Sequence, residues 1–234
     1  MSSPFVVLVP VLGRPGNAAA LVRNIRKVSQ MDHRILFLCT PGDRAEIKAC
    51  KATGADVEVV SWAAGSGDWA KKLNHGRAIT TEPYMVLGAD DVRFHPEWDK
   101  NALHAFDSMD IGVLGTQDKG NPLVKRGLHS THPIVCRGYA DMYGTIDRPD
   151  LMVATCYDHQ FCDNELCQTA MARGCWHFAR DVIIEHLHPA WGKGKEDATY
   201  AKGWRRGRAD GMLFAKRRRL WHPRRGGRNV RSAS

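Results

Sequence analysis

No apolar run in this chain of 234 residues approaches the roughly 20 that a bilayer-spanning helix needs. The opening, MSSPFVVLVPVLG, carries no basic stretch ahead of its apolar run, and Pro10 and Gly13 suit a first strand entering a loop better than a signal peptide. A soluble cytoplasmic protein without membrane insertion is the expectation. There is no Gly-x-Gly-x-x-Gly and no Gly-x-x-x-x-Gly-Lys-Ser/Thr, so dinucleotide-dependent dehydrogenases and Walker-type ATPases fall away. The seven cysteines include no Cys-x-x-Cys pair. Cys156, Cys162, Cys167 and Cys175 cluster near His159 and His177, but their spacing matches no common zinc module; reduced, mostly buried thiols are expected. Acid is scarce in one place only. Residues 202–231 hold 12 Lys and Arg against the single Asp210, whereas the remainder carries 22 basic and 24 acidic residues. The net charge of +9 therefore belongs to a basic end on a near-neutral domain.

What is present supports one substantial core, since 43% of the residues are hydrophobic. The division expected is a domain over 1–195 and a basic, helical or partly disordered extension over 196–234. FVVLVPV, RILFLCT, VEVVSW and the run ending at Asp90 read as strands, with GNAAALVRNIRKV, RAEIKACKATG and DWAKKLNHGRAITT as helices between them. Repeated strand–helix units predict a three-layer α/β fold, a mainly parallel sheet with helices on both faces. A helix follows HPEW, and DIGVLGTQ is a further strand. DHQFCDNELCQTAMARG is a helix starting near Asp158, and RDVIIEHLHP a last strand stopping at Pro189. Residues 117–150, rich in Gly, Pro and polar residues, read as a long irregular stretch of the kind that shapes sites. His129, His132, Arg137 and Asp141 are available there.

Three segments carry chemistry. In TEPYMVLGADDVRFHPEW, residues 81–98, Asp90 and Asp91 follow a buried strand at its carboxyl end, where open α/β sheets place ligands. Adjacent carboxylates repel unless a cation lies near; a divalent metal is one reading and a plain acidic turn the other. In EHLHP, His186 and His188 point to the same face of a strand, so either can reach a metal, and imidazole favours Mn²⁺ over Mg²⁺. In CDNEL, Asp163 and Glu165 lie about 200° apart on a helix, so one of them faces a site. An acidic first turn complementing the helix dipole is the alternative. Lys71 and Lys72 are either phosphate partners or a solvated helix face, and the glycines of WGKGK permit a flap carrying Lys193 and Lys195.

The order of VVLVPVLGRP, GDWAKKLNHGRAITTEPYMVLGADDV, DNEL and EHLHP resembles nucleotide-sugar glycosyltransferases of the GT-A, family-2-like type over about residues 4–195. It is similar in particular to small glycosyltransferases encoded by bacteriophages of actinobacteria. The resemblance implies a GT-A (Rossmann-like) fold and an inverting hexosyl or pentosyl transfer from a nucleotide-sugar, by family habit a UDP-sugar. It implies Asp91 as metal ligand, with Mn²⁺ preferred and Mg²⁺ possible, and His186 ahead of His188 as a second ligand. Asp90 would contact ribose or sugar hydroxyls, although Ala89-Asp90-Asp91 departs from the family's spaced carboxylates. Asp163 would be the base that takes the acceptor's proton. Pro10, Val11 and Arg14 would lie at the nucleotide base, Asp68, Lys72 and Asn74 would close over uracil and ribose, and Lys193 would meet the diphosphate.

The basic end suits an anionic partner. Arg205, Arg206, Arg208, Arg217, Arg218 and Arg219, with Trp204 and Trp221 among them, suit nucleic acid held by phosphate neutralisation and stacking. A solvated, solubilising end is the alternative. The acceptor that joins this end to a transferase is a hydroxylated base such as 5-hydroxymethylcytosine in phage DNA, turned out of the stack. A hydroxyl on a virion protein is the alternative acceptor. A non-catalytic DNA-binding protein and a metal-dependent nuclease are competing classes, and neither accounts for the ordered set of four segments.

Overall fold

The computed structural model describes residues 4–221, except for the side chains of 198, 199 and 202–205. β1 (Phe5–Pro10), α1 (Asn17–Val28), β2 (Arg34–Cys39), α2 (Arg44–Ala52), β3 (Asp56–Val59), α3 (Asp68–Ala78) and β4 (Tyr84–Leu87) alternate as expected. β5 (Val92–Phe94), α4 (Trp98–Ser108) and β6 (Val113–Gln117) come next, then α5 (Pro122–Lys125), β7 (Ile134–Cys136) and α6 (Arg137–Tyr143). α7 (Cys162–Ala172), β8 (Trp176–His186) and α8 (Ala198–Arg217) complete the order. Among the described residues the strands form one eight-stranded sheet, β3-β2-β1-β4-β7-β6-β8-β5. Neighbours in β3-β2-β1-β4 are parallel, as are β6 and β8; β7 runs antiparallel to both β4 and β6, and β5 to β8. The three-layer α/β architecture read from the sequence is present.

Burial on both faces explains why the central strands are apolar throughout. Phe5, Val7 and Val9 of β1 pack with Leu21, Val22 and Ile25 of α1 and Trp98 and Ala102 of α4. Val6 and Leu8 face the opposite core, with Ala70 and Leu73 of α3 and Leu166 and Ala170 of α7. Each such Val or Leu stabilises the fold by roughly 1.5–3 kcal/mol. A Cβ on Gly88 would stand 2.9 Å from the Leu8 carbonyl oxygen. The small residue after β4 is therefore required by close strand packing.

The sequence reading differs from the structure in several places, including β5, which that reading does not contain. The stretch 117–150 contains α5, β7 and α6; β7 is only three residues long, too short for its alternation to show. α7 begins at Cys162, not near Asp158, because Asp210 of α8 accepts the N–H groups of Asp158, His159 and Gln160 at 2.8–2.9 Å and holds them as a loop. β8 ends at His186, so His188 lies off the strand and instead caps a turn, its Nδ1 accepting the Ala190 N–H at 3.0 Å.

α8 packs on the domain along its described length. Arg217 is buried and donates to Glu165 at 2.6 and 2.8 Å and to Asp147 at 2.8 and 2.9 Å. This corrects its assignment to nucleic acid, because both edges of the guanidinium are occupied by carboxylates. Trp221 is buried against Phe214, 5.7 Å between ring centres, and is not an open stacking surface. Arg208, Arg218 and Arg219 are exposed, and the Arg205 and Trp204 side chains lie outside the described residues. None of the described helices is long and apolar enough to cross a membrane. All seven cysteines are unpaired, and among the described residues no three His, Cys, Asp or Glu side chains form a ready metal cage.

Candidate active site

A cavity of about 490 Å³ opens at the carboxyl ends of β1 and β4, a place and size typical of ligand sites in open α/β sheets. Its lining includes Pro10, Val11, Arg14, Asp68, Trp69 and Lys72, the acids Asp90, Asp91 and Asp163, and His129, His132, His186, His188, Asn164, Tyr200 and Arg206.

Strand register brings the acid pair to the histidine. Val92 of β5 pairs with His186 of β8, and the Leu187 N–H donates to the Asp91 carbonyl at 2.9 Å. His186 Nε2 thereby stands 3.5 Å from Asp91 Oδ1. Two donors each about 2.1 Å from one ion are separated by 3–4 Å, so this pair fits a shared divalent cation. Two protein ligands leave the remaining positions to water or to phosphate oxygens, the usual arrangement for a substrate-bound metal. His188 does not share this geometry. Its ring packs 4.9 Å from His186 and 4.6 Å from Tyr200, and burial together with His186 lowers its pKa to about 4.

Arg14 reaches the acid pair because its loop is tied to α2. The Gly13 N–H donates to Asp43 at 2.8 Å, and the Arg14 N–H to the fully buried Glu46 at 2.5 Å. Arg14 Nη1 then donates to Asp90 Oδ1 at 3.2 Å and Asp91 Oδ2 at 2.8 Å. Its other edge meets Asp197 at 2.7 and 3.1 Å, and the guanidinium lies 4.5 Å from the Tyr200 ring centre. Tyr200 donates its hydroxyl to Asp91 Oδ2. Asn17 donates to Asp90 Oδ2 at 3.1 Å. The two acids diverge in consequence. Burial, and then the Asp91 charge, raise Asp90 to about 6. Burial also disfavours the Asp91 carboxylate, but His186, Tyr200 and Arg14 outweigh it and hold the group well below the usual carboxylate range.

Asp163 lies at the second position of α7, after Phe161 in the left-handed conformation at φ 69°. Its Oδ1 accepts the Asn164 N–H at 2.9 Å, and its Oδ2 is 3.3 Å from His129 Nε2. Glu165 turns the other way, into the core, where it accepts from Tyr157 at 2.6 Å and from Arg217. Of the two carboxylates, only Asp163 lines the cavity.

Several residues read as nucleotide contacts are engaged by the protein's own groups. Lys72 is 1% exposed; its ammonium donates to the Val11 carbonyl at 2.8 Å and Thr40 at 2.7 Å and pairs with Asp68 at 2.9 Å. It fixes the cavity wall. Asn74 does not line the cavity: its side chain accepts from the Met152 and Val153 N–H groups and donates to the Val153 carbonyl, all within 3.0 Å. Lys193 also lies off the cavity wall, pairing with Glu185 at 2.8 Å, and Glu185 in turn binds His95 at 2.9 Å. Arg206 does line the cavity, tied to Asp158 at 2.5 Å. Asn17, Asp197, Tyr200 and His129 were missed as contacts of the acids. Tyr200 and Asp197 follow the WGKGK segment, whose glycines were the signal for a chain folding over the site.

No protein-family model matches the sequence, and no curated protein matches it. Solved structures do. The mannosyltransferase PcManGT from Pyrobaculum calidifontis, in complex with GDP-Man and Mn²⁺, is similar with a TM-score of 0.63 at 13% identity, over 82% of this chain and 59% of that one. Glucosyl-3-phosphoglycerate synthase from Mycobacterium tuberculosis, with Mn²⁺, UDP and phosphoglyceric acid, gives 0.60 at 12% identity over 95% of this chain and 80% of that one. S. aureus TarS 1–349 with UDP-GlcNAc gives 0.58 at 14% over 79% and 57%. The chain thus spans less than two-thirds of the length of the mannosyltransferase and TarS chains. The likeness is one of fold, and that fold is the GT-A type expected from the ordered motifs.

Proposed function

We propose that the protein is a metal-assisted glycosyltransferase that moves a hexose or pentose from a nucleotide-sugar to a hydroxyl acceptor with inversion. One observation carries the reading. A single cavity holds both an Asp91–His186 pair spaced for a shared divalent cation and the carboxylate of Asp163. The fold likeness to chains solved with GDP-Man or UDP supports a nucleoside-diphosphate donor, for which a UDP-sugar is our first choice.

Asp91 and His186 would hold Mn²⁺ or Mg²⁺, which neutralises charge building on the departing diphosphate. Arg14 adds a second positive charge beside that position. Pro10, Val11, Asp68 and Trp69 wall the nucleoside, while Lys72 and Asn74 act through the walls they hold. Asp163 takes the acceptor hydroxyl's proton as its oxygen bonds to the anomeric carbon. The bond from that carbon to the phosphate oxygen breaks, and its electron pair leaves with the nucleoside diphosphate.

For the acceptor we keep a hydroxymethylated base in DNA of the phage type, with Arg208, Arg218 and Arg219 as surface cations and a virion-protein hydroxyl as the alternative. The test is nucleoside mass spectrometry after incubating hydroxymethylcytosine DNA with the protein, Mn²⁺, UDP-glucose, UDP-GlcNAc and GDP-mannose. A nucleoside heavier by one sugar is expected. Nucleoside diphosphate release over unchanged nucleosides removes the DNA acceptor and keeps the transferase. DNA binding without any donor turnover favours the non-catalytic class.

A further inference from the structure

The Asp163 carboxylate has one polar side chain against it to which the proposed reaction gives no part. His129, on the loop between α5 and β7, is 4% exposed, and its Nε2 stands 3.3 Å from Asp163 Oδ2. The opposite oxygen is fixed by the Asn164 N–H, so the two contacts together define the plane of the carboxylate. Among the described residues Asp163 is the only carboxylate paired with the ring. A buried imidazole does not persist beside a carboxylate by accident of solvation, because an unpaired buried polar ring is costly.

We propose that His129 is the positioning residue of Asp163, holding its carboxylate ionised and turned toward the acceptor. The inference rests on the reading of Asp163 as the base. Burial disfavours the charged ring, but Asp163 outweighs it, with a lesser contribution from Cys167 of α7, and raises His129 to about 10. The same pairing keeps Asp163 below its ordinary value, although burial pushes the other way. The other titratable groups around the pair are His132 on the same loop, His159 before α7, and Cys162 at its start. His132 is lowered to about 4 by burial and by His186, and burial also lowers His159, so neither supplies a competing cation near neutrality. Cys162 is pushed up by burial and stays a neutral thiol.

A carboxylate lowered by a partner becomes protonated at higher pH when that partner is lost, so the acid limb of the rate profile moves up. The experiment follows nucleoside diphosphate release from UDP-glucose, UDP-GlcNAc and GDP-mannose with Mn²⁺ between pH 5 and 9, on full-length protein. His129→Phe is expected to shift the acid limb of kcat to higher pH and to lower kcat near pH 6 by roughly ten- to a hundredfold, leaving the donor KM unchanged. His129→Gln, which keeps an N–H near the Nε2 position, should recover part of that loss. An unmoved acid limb in a folded His129→Phe protein, or a change confined to KM, overturns the proposal. Imidazole nitrogen NMR adds a readout without turnover: Asp163→Asn should lower the His129 titration, and an unchanged titration also overturns it. Asp163→Asn separates the two readings. Wild-type release in that variant removes the base, whereas an inactive Asp163→Asn beside an unmoved His129→Phe profile removes the positioning role alone.

Discussion

The two carboxylate ends of the cavity are built alike and balanced differently. Asp91 and Asp163 are both largely shielded from water, and each faces a histidine from a distant segment, at 3.5 and 3.3 Å. Asp91 also has Arg14, Tyr200 and a second acid beside it, whereas Asp163 has its imidazole and one backbone N–H. A group that must trade partners for a doubly charged ion needs several replaceable contacts. A group that must accept one proton needs a fixed plane and a single persistent partner. On the roles proposed for them, crowding of charge, more than burial, is what separates the ion-holding Asp91 from the proton-accepting Asp163.

Substitution of the two acids tests that separation most severely. Asp163→Asn is expected to lower kcat by roughly 10²–10⁴-fold while Mn²⁺ binding, read by electron paramagnetic resonance, persists. Asp91→Asn is expected to lower turnover by a comparable roughly 10²–10³-fold and to abolish the bound Mn²⁺ signal. Loss of Mn²⁺ in both variants would merge the two ends into one. Next in size is Arg217→Met, which leaves the buried Glu165 carboxylate, two residues along α7 from Asp163, without a cationic partner and with Tyr157 as its one remaining side-chain donor among the described residues. Breaking such a pair costs about 3–5 kcal/mol, a Tm lower by on the order of 10 °C in calorimetry. Tyr200→Phe removes one replaceable contact from Asp91, and titration should show Mn²⁺ bound about fivefold more tightly. The smallest effect belongs to the surface. Replacing Arg208 and Arg219 by Gln should leave Tm and donor turnover alone while flattening the salt dependence of DNA binding by about 0.9 for each phosphate no longer neutralised.

The parts of the site that the sequence displayed are those marked by composition or a short spacing. GADDV and EHLHP stand out by composition, although β5, whose pairing with β8 joins them, is too short to show in the sequence. Helical angle says that only one of Asp163 and Glu165 faces a site, and the family resemblance singles out Asp163. Residues whose partners are distant in sequence were misread. Lys72 looked like a phosphate ligand, yet Val11, Thr40 and Asp68 close around its ammonium. His188 looked like a strand residue, yet the strand stops at His186. Arg217 looked like the centre of a basic surface, and only packing of α8 against α7 reveals that it is buried. β7, with three residues, gave no periodicity to detect.

α8 also sets the order in which the cavity can be finished during synthesis. Arg14 and Asp197, bonded through two hydrogen bonds, are 183 residues apart in sequence. At about 5–20 residues per second the ribosome needs about 10–40 s to bridge that gap. Within that interval, from the synthesis of Asp91 onward, the growing chain has its acid pair and its arginine but neither Asp197 nor Tyr200. Arg14 is thus the partner on hand from the beginning, and it balances the acids before the last helix arrives to close over them.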